Sequence, residues 1–257
     1  MLLDNSANDW VGLACSFVLQ RDLASSRSVV PIFARDESAA YLSGAFETLV
    51  MNIEGPPGQL TLSAIAFRQD TQRGVPVVDQ PVDLSGNLIN SLDALAHRLD
   101  PQGAQPFSTH NGSALKYFVQ GAMAATPQAR AELLRSAIEE DPRFGLAYIA
   151  LAETVGPTAL AGVHPEMFSA LDSARWTALA ARLKQAPPEQ QIQAQLAVLR
   201  LAPNDVDALA NLGALRFLTG NRKEGERHLR RAVELNPGNF ALQVQLQRFL
   251  QSKQQAH

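Results

Sequence analysis

The sequence predicts two structural classes in series. Residues 1–105 form a small α/β unit, a mixed sheet with helices, and residues 110–257 form an all-α solenoid of stacked helix pairs. Three observations carry this. The segments Leu201-Ala-Pro-Asn-Asp205 and Leu235-Asn-Pro-Gly-Asn239 echo each other, and their prolines, Pro203 and Pro237, stand 34 residues apart. Two alternating apolar runs flank Gly55-Pro-Pro-Gly58, which is a hairpin signal. Elsewhere apolar residues recur at the three- and four-residue spacing of amphipathic helices.

The N-terminal elements follow in order. Trp10, Leu13, Phe17, Val18 and Leu19 set a helix running to about Ala24. Val29 to Phe33 reads as a short strand, and Glu37 to Ala45 as a short helix with Asp36 placed to cap it. Phe46 to Glu54 and Gln59 to Arg68 are the hairpin strands. Gly74 to Val82 is a third, after a turn from Thr71 to Gly74. Pro76 and Pro81 confine it to an edge, because proline cannot donate to a ladder. Leu84 to Leu99 closes the unit as an amphipathic helix, with Leu88, Ile89, Leu92, Leu95 and Leu99 on one side. This order makes a sheet with helices on one or both faces. A strand before the first helix would complete its parallel part, and Met1-Leu-Leu3 is too short to be one.

The C-terminal elements are helices set off by glycine and proline. Asn111 to Gly121 is the first. Gln128 to Asp141 follows, with Leu134, Ala137 and Ile138 on one face, and it stops at Asp141-Pro142. The next helix carries Tyr148, Leu151 and Ala152. Gly156-Pro157 to Pro165 is a loop, Pro165 to Gln185 a long helix, and Pro187-Pro188 opens another that ends at Leu201. The clearest pair spans Asp205 to Leu218 and Arg222 to Leu235 around the turn Thr219-Gly-Asn221. Leu209 and Leu212 line one face of its first helix. Gly213 lets the second helix approach, Gly220 supplies the permissive turn backbone, and Leu229 and Ala232 face back. Asn239 to Ser252 is a glutamine-rich last helix with the wet face a terminal cap needs. About eight helices make four pairs, above the roughly three repeats at which stacked pairs bury a continuous core.

Composition narrows the function. Net charge is -3 and no basic stripe exists, so the counterion-release contribution to nucleic-acid binding is missing. No apolar run reaches the roughly 18 residues that cross a bilayer, and no basic-then-apolar leader is visible. The expectation is a soluble chain, cytoplasmic or periplasmic. The single cysteine, Cys15, cannot form an internal disulfide and sits in an apolar run, where it reads as a small buried hydrophobe. Phosphate-cradling glycine loops, Cys-x-x-Cys, His-Glu-x-x-His and Gly-x-Ser-x-Gly are absent. The histidines at 97, 110, 164, 228 and 257 are scattered. No cofactor, metal or catalytic residue is expected. Asn111-Gly-Ser113 fits a glycosylation acceptor, and more simply a helix-capping loop.

The 34-residue period with Leu209, Gly213, Gly220, Leu229, Ala232 and Pro237 resembles the tetratricopeptide (TPR) repeat. Gly225 stands where the pattern has alanine, and Arg216 where it has an aromatic. Asp4-Asn5-Ser6 through Trp10-Val-Gly12, Leu19 to Leu23, the Gly55 hairpin and the last helix of the unit resemble the TolB amino-terminal and FlgO-like domains. In adenylate-cyclase-associated and CadC-like bacterial signalling proteins such domains often precede TPR repeats. Those domains begin with a full apolar strand that is missing here, which implies either a chain that starts inside a longer protein or an incomplete sheet edge. The TPR resemblance implies a concave groove lined by the first helix of each pair. Carried over, Asp207, Ala210, Asn211, Ala214 and Phe217 face it from the best repeat, Leu146, Ile149 and Glu153 from an earlier one, and Trp176 between them. Asn211 matches an asparagine that some TPR proteins use on a peptide carboxylate, but the accompanying lysines and arginines are not at the matching places. A mixed apolar groove for an extended or helical segment is expected instead.

The resulting expectation is a non-enzymatic interaction module that binds a protein or peptide partner. It would be a scaffold or sensory part of a bacterial signalling or cell-envelope system, with its oligomeric state open. The alternative is a small-molecule sensor with its ligand at the α/β unit or at the junction with the helices.

Overall fold

A computed structural model describes residues 9–29, 47–56, 59–68, 74–76, 82–83 and 88–254. The strand expected from Val29 to Phe33 (Val29 apart) and the helix expected from Glu37 to Ala45 lie outside these residues. So do 71–73 of the expected turn.

The first described element is helix α1 (Asp9–Asp22), which tightens into a single 3-10 turn, Leu23–Ser25. Strands β1 (Glu47–Glu54) and β2 (Thr61–Arg68) pair antiparallel along their whole length, Glu47 opposite Arg68 and Glu54 opposite Thr61. Of the expected third strand two short pieces are described, and 77–81 lie outside the described residues. β3 (Gly74–Pro76) pairs with Ile65 to Phe67, and β4 (Val82–Asp83) with Thr61 and Leu62. Every pairing among the described residues is antiparallel, and the strand expected from Val29 to Phe33, which would bear on a mixed sheet, lies outside them apart from Val29. Alternation gives the sheet two faces. Leu49, Met51, Ile53, Leu62 and Ala64 pack inward, whereas Val50, Ile65, Phe67 and Val75 are exposed. Helix α2 (Leu88–Leu99) adds Ile89, Leu92, Leu95 and Ala96 to the inner side, as its apolar spacing predicts.

The rest is helical: α3 (Gly112–Met123), α4 (Pro127–Glu140), α5 (Gly145–Val155), α6 (Ala170–Leu183), α7 (Pro188–Leu201), α8 (Val206–Leu218), α9 (Arg222–Leu235) and α10 (Phe240–Gln254). From α4 to α9 each helix packs mainly on the one before it and the one after it in sequence, whereas α3 packs on α4 and on α1. Helices α7 and α9 end at Leu201 and Leu235, 34 residues apart, and α8 and α10 begin at Val206 and Phe240, again 34 apart. The starts are set by side-chain caps, each accepting from a backbone N–H of the first turn. Thr126 serves Ala129, Ser169 serves Asp172, Asp205 serves Ala208 and Asn239 serves Leu242. Asn111 caps α3 by accepting from Ser113 and Ala114, and its amide donates to the Glu140 carbonyl. Its side chain is thus engaged on both sides as a capping residue.

The long helix expected from Pro165 is shorter. Pro165–Met167 is one 3-10 turn, Phe168 is extended, and α6 starts only after Ser169. Phe168 is the reason: its ring is buried against Tyr148 and Trp176, which a continuous helix through 168 would not allow. At the α8–α9 turn Gly220 has φ +87°, as its place between the helices requires. Gly213 and Gly225 face each other across the pair. A Cβ on Gly225 would lie 2.7 Å from the Gly213 carbonyl oxygen and one on Gly213 3.0 Å from the Gly225 oxygen, so both glycines let the backbones meet.

One apolar core runs without a break from the sheet and α1 into α5, joining Val18, Leu62, Leu92, Leu115, Phe118, Phe144 and Ala147. Its centre is a chain of rings: Phe17 lies 5.1 Å from Phe118, Phe118 5.1 Å from Phe144, and Phe144 5.8 Å from Phe107. Burying a phenylalanine is worth about 1.5–3 kcal/mol, so this cluster holds α1 to the helical part firmly. No helix among the described residues is long and apolar enough to cross a membrane.

Candidate functional site

The candidate site is built where the end of α1 meets the helical part. Asp205 is its hub. One carboxylate oxygen accepts from the Ala208 N–H at 2.9 Å and so caps α8. The other accepts from Arg175 Nε at 2.8 Å, with Arg175 Nη2 also 2.8 Å away. Arg175 Nη1 donates to Asp172 at 3.2 Å. From α1, Arg21 approaches Asp205 at 3.8 Å and Asp207 at 3.7 Å, its guanidinium 5.2 Å from the Phe17 ring centre. The Asn204 amide donates to the Ser26 carbonyl at 3.1 Å, tying the turn after α1 to the loop before α8. Burial alone would raise the Asp205 carboxyl, but Arg175, Arg21 and the Ala208 N–H outweigh it and hold the group below the ordinary carboxylate range.

On one side of this cluster opens a cavity of about 220 Å³. Leu146, Ile149 and Glu153 of α5 and Asp207 and Asn211 of α8 all line it, which brings together five of the residues expected in the groove. At the rim Glu153 pairs with Arg182 at 3.4 Å, and burial together with the Asp207 carboxylate raises the Glu153 carboxyl. The other expected residues lie elsewhere. Trp176 is buried among Tyr148, Phe168 and Leu179, so it packs between helices and is not part of the cavity lining. Phe217 sits on Phe249 with ring centres 4.4 Å apart and under the Arg222 guanidinium. Ala210 belongs to the core shared with α9 and α10, and Ala214 is not part of the cavity lining.

Sequence reasoning did not find Phe17, Arg21, Arg175 or Gln195 as lining residues. Arg21 and Phe17 come from the α/β unit, and no local pattern announces a partner about 180 residues away. Gln195 is 4% exposed on α7, and an acceptable clue was present: a glutamine on the apolar side of a helix, three residues before the buried Val198.

On the other side of the charged cluster lies a second cavity of about 410 Å³ at the junction of α1, the 100–108 loop and α6. Asp22 and Asp172 line it, each 1% exposed, and among the described residues Asp22 Oδ1 and Oδ2, Asp172 Oδ2 and Ser108 Oγ have no hydrogen-bond partner. Burial, and the Asp93 carboxylate it faces, push the Asp22 carboxyl up to about 9. Asp93 in turn accepts from the Phe107 N–H. Among the described residues no group of His, Cys, Asp or Glu could hold a metal ion.

No protein-family model matches this chain, and no curated protein matches it.

Proposed function

We propose that this chain is a protein-interaction module without catalysis. In this reading the helices from α3 onward are a TPR-type solenoid, and the preceding unit is of the TolB amino-terminal or FlgO-like kind, together serving as scaffold or sensor in a bacterial signalling or envelope system. The groove between α5 and α8 receives a segment of a partner protein. The observation that carries the reading is the convergence of Leu146, Ile149, Glu153, Asp207 and Asn211, from two helices some sixty residues apart, on one concave cavity. The 34-residue repetition of the helix ends supports it. An apolar floor with a charged rim suits a peptide segment.

The test is co-precipitation from bacterial lysate with the full chain, comparing Ile149→Glu with a control, Leu218→Ser, at a residue 76% exposed and away from the cavity. Ile149→Glu is expected to lose the partners that the control retains. Partners retained equally by both variants would remove the groove from the function.

A second reading, a small-molecule sensor, has its support in the junction cavity. Its volume falls within the ~300–1,000 Å³ usual for ligand sites, and it presents carboxyl oxygens without a hydrogen-bond partner among the described residues. Calorimetric titration of the chain with nucleotides and sugars tests it; heat from one of them would favour this reading over the groove.

A further inference from the structure

The wall of the junction cavity, about 410 Å³ in volume, carries oxygens in search of donors. Asp22, Asp172 and Ser108 line it, and among the described residues Asp22 Oδ1 and Oδ2, Asp172 Oδ2 and Ser108 Oγ have no hydrogen-bond partner. Asp22 and Asp172 are each 1% exposed, and folded proteins rarely leave such buried groups unmatched. Within one carboxyl the contrast is plain. Asp172 Oδ1 accepts from Arg175 Nη1 at 3.2 Å, whereas Oδ2 accepts from nothing. Asp22 faces the Asp93 carboxylate and is held as the neutral acid by burial and by that charge. Carboxyl and hydroxyl oxygens all accept, so a ligand matched to this wall brings several donors.

Charge restricts which donors fit. Arg21, Arg175 and Arg200 line the same cavity, so an ammonium ion entering it meets three guanidiniums. A phosphate or carboxylate meets the Asp172 carboxyl instead, and the guanidiniums of Arg21 and Arg175 are already matched by Asp172, Asp205 and Asp207. A hydroxyl avoids both conflicts, because it is uncharged and both donates and accepts. It can donate to a carboxyl oxygen at the base and accept from Arg200 or Gln102, which are exposed at the rim. The volume is that of a site for a whole small ligand, ~300–1,000 Å³, and Leu171 and Leu201 in the wall offer apolar surface to the C–H face of a sugar ring. We propose that the junction cavity binds a neutral polyhydroxyl compound, a small sugar or polyol, whose hydroxyls donate to the oxygens of Asp172 and Asp22 and exchange hydrogen bonds with Ser108. This rests on the sensor reading above and names the ligand class. Since α1, the 100–108 loop and α6 each form part of the wall, the ligand bridges the α/β unit and the helices, and its binding stiffens that junction.

The experiment is calorimetric titration of the full chain. Glucose, ribose, maltose and inositol serve as neutral polyols, and ethylamine, glycine and inorganic phosphate as cationic, zwitterionic and anionic probes. At least one polyol is expected to bind and the charged probes are not. Ala170→Trp, at an exposed residue of the cavity lining on the first turn of α6, is expected to abolish binding by filling the space. Asp172→Asn and Ser108→Ala are each expected to weaken it about tenfold, the loss of one hydrogen bond in a desolvated site. Asp22→Asn keeps the shape of the neutral acid and one acceptor oxygen, so it should bind nearly as wild type. Thermal melts of the free variants separate lost recognition from lost fold, since Ser108→Ala should melt with wild type. If ethylamine, glycine or phosphate binds, Ala170→Trp removes that binding and no polyol binds, the cavity is a ligand site and the sensor reading stands, but the polyol class is wrong. If a polyol binds and neither Asp172→Asn nor Ser108→Ala weakens it, the unmatched oxygens do not recognise it and the inference is again wrong. If no probe binds, or Ala170→Trp binds normally, both the inference and the sensor reading are wrong.

Discussion

At the C-terminal end of α1 the Asp22 carboxyl faces that of Asp93 in a setting 1% exposed to solvent, with no donor on either oxygen among the described residues. Burial first, and the Asp93 charge second, favour the neutral acid. Its folded value stands at about 9 against an ordinary 3.8. The linkage sign follows from which state holds the proton. Between those two values the folded chain binds more protons than the unfolded one, so stability falls as pH rises. The favourable contribution is complete below 3.8 and exhausted above about 9. Asp22→Asn keeps the shape of the neutral acid and cannot ionise. Thermal melts across that window should therefore show the variant gaining on wild type as pH rises, with the difference levelling off near the upper end. A constant difference at all pH values would mean that Asp22 is ionised in the fold. Cys15 is the opposite kind of buried group. It is 0% exposed, its thiol is pushed up to about 12 by burial, and it packs as a small hydrophobe, as its apolar surroundings in the sequence imply.

At the level of elements, the helical hairpins show what local chemistry can specify. The ends of α7, α8 and α9 and the start of α10 are legible because proline, glycine and capping residues punctuate them where a helix cannot continue. The α8–α9 pair shows the limit of that reading. Gly225 scores as a weakness in a helix by propensity, yet a Cβ there would meet the Gly213 oxygen at 2.7 Å and the Phe217 nitrogen at 3.1 Å. Both contacts are backbone, so neither can swing aside. Gly225→Ala recovers up to ~1 kcal/mol of helix propensity and incurs ~1–3 kcal/mol of overpacking. The net expectation is a loss of about 1 kcal/mol, read as a lower urea midpoint at unchanged slope. A gain in stability would show that the two helices have room to part. The start of α6 was misread for a related reason. Pro165 is a valid helix opener, but the preference of the Phe168 ring for its place beside Trp176 is a tertiary effect that no local signal carries.

Over the whole molecule, the contacts that make the groove are the ones the sequence does not display. The period of 34 indicates which helices are neighbours, but not that α1 of the α/β unit closes the cavity. Two kinds of contact do this: the ring chain from Phe17 to Phe144, and the polar clasp of Arg21 and Ser26 on the residues leading into α8. Their weights differ, and substitution separates them. Arg21 reaches its two acids only at 3.8 and 3.7 Å and keeps a side chain 24% exposed. Such a pair contributes about 0–1 kcal/mol, so Arg21→Met should be nearly neutral. Asp205 is 3% exposed in its side chain, caps α8 and holds the guanidinium of Arg175, itself 10% exposed. Its loss removes a cap worth ~1 kcal/mol and leaves a buried cation short of a partner, so Asp205→Ala should cost roughly 3–5 kcal/mol. Guanidinium chloride melts of the two variants decide between the contacts. A large cost at Asp205 with little at Arg21 means that the aromatic chain docks α1, and the charged cluster serves to fix the α6–α8 frame on which Asp207 and Asn211 stand. Equal costs would make the clasp the principal tie, and the groove would then loosen in high salt, as an exposed ion pair is screened.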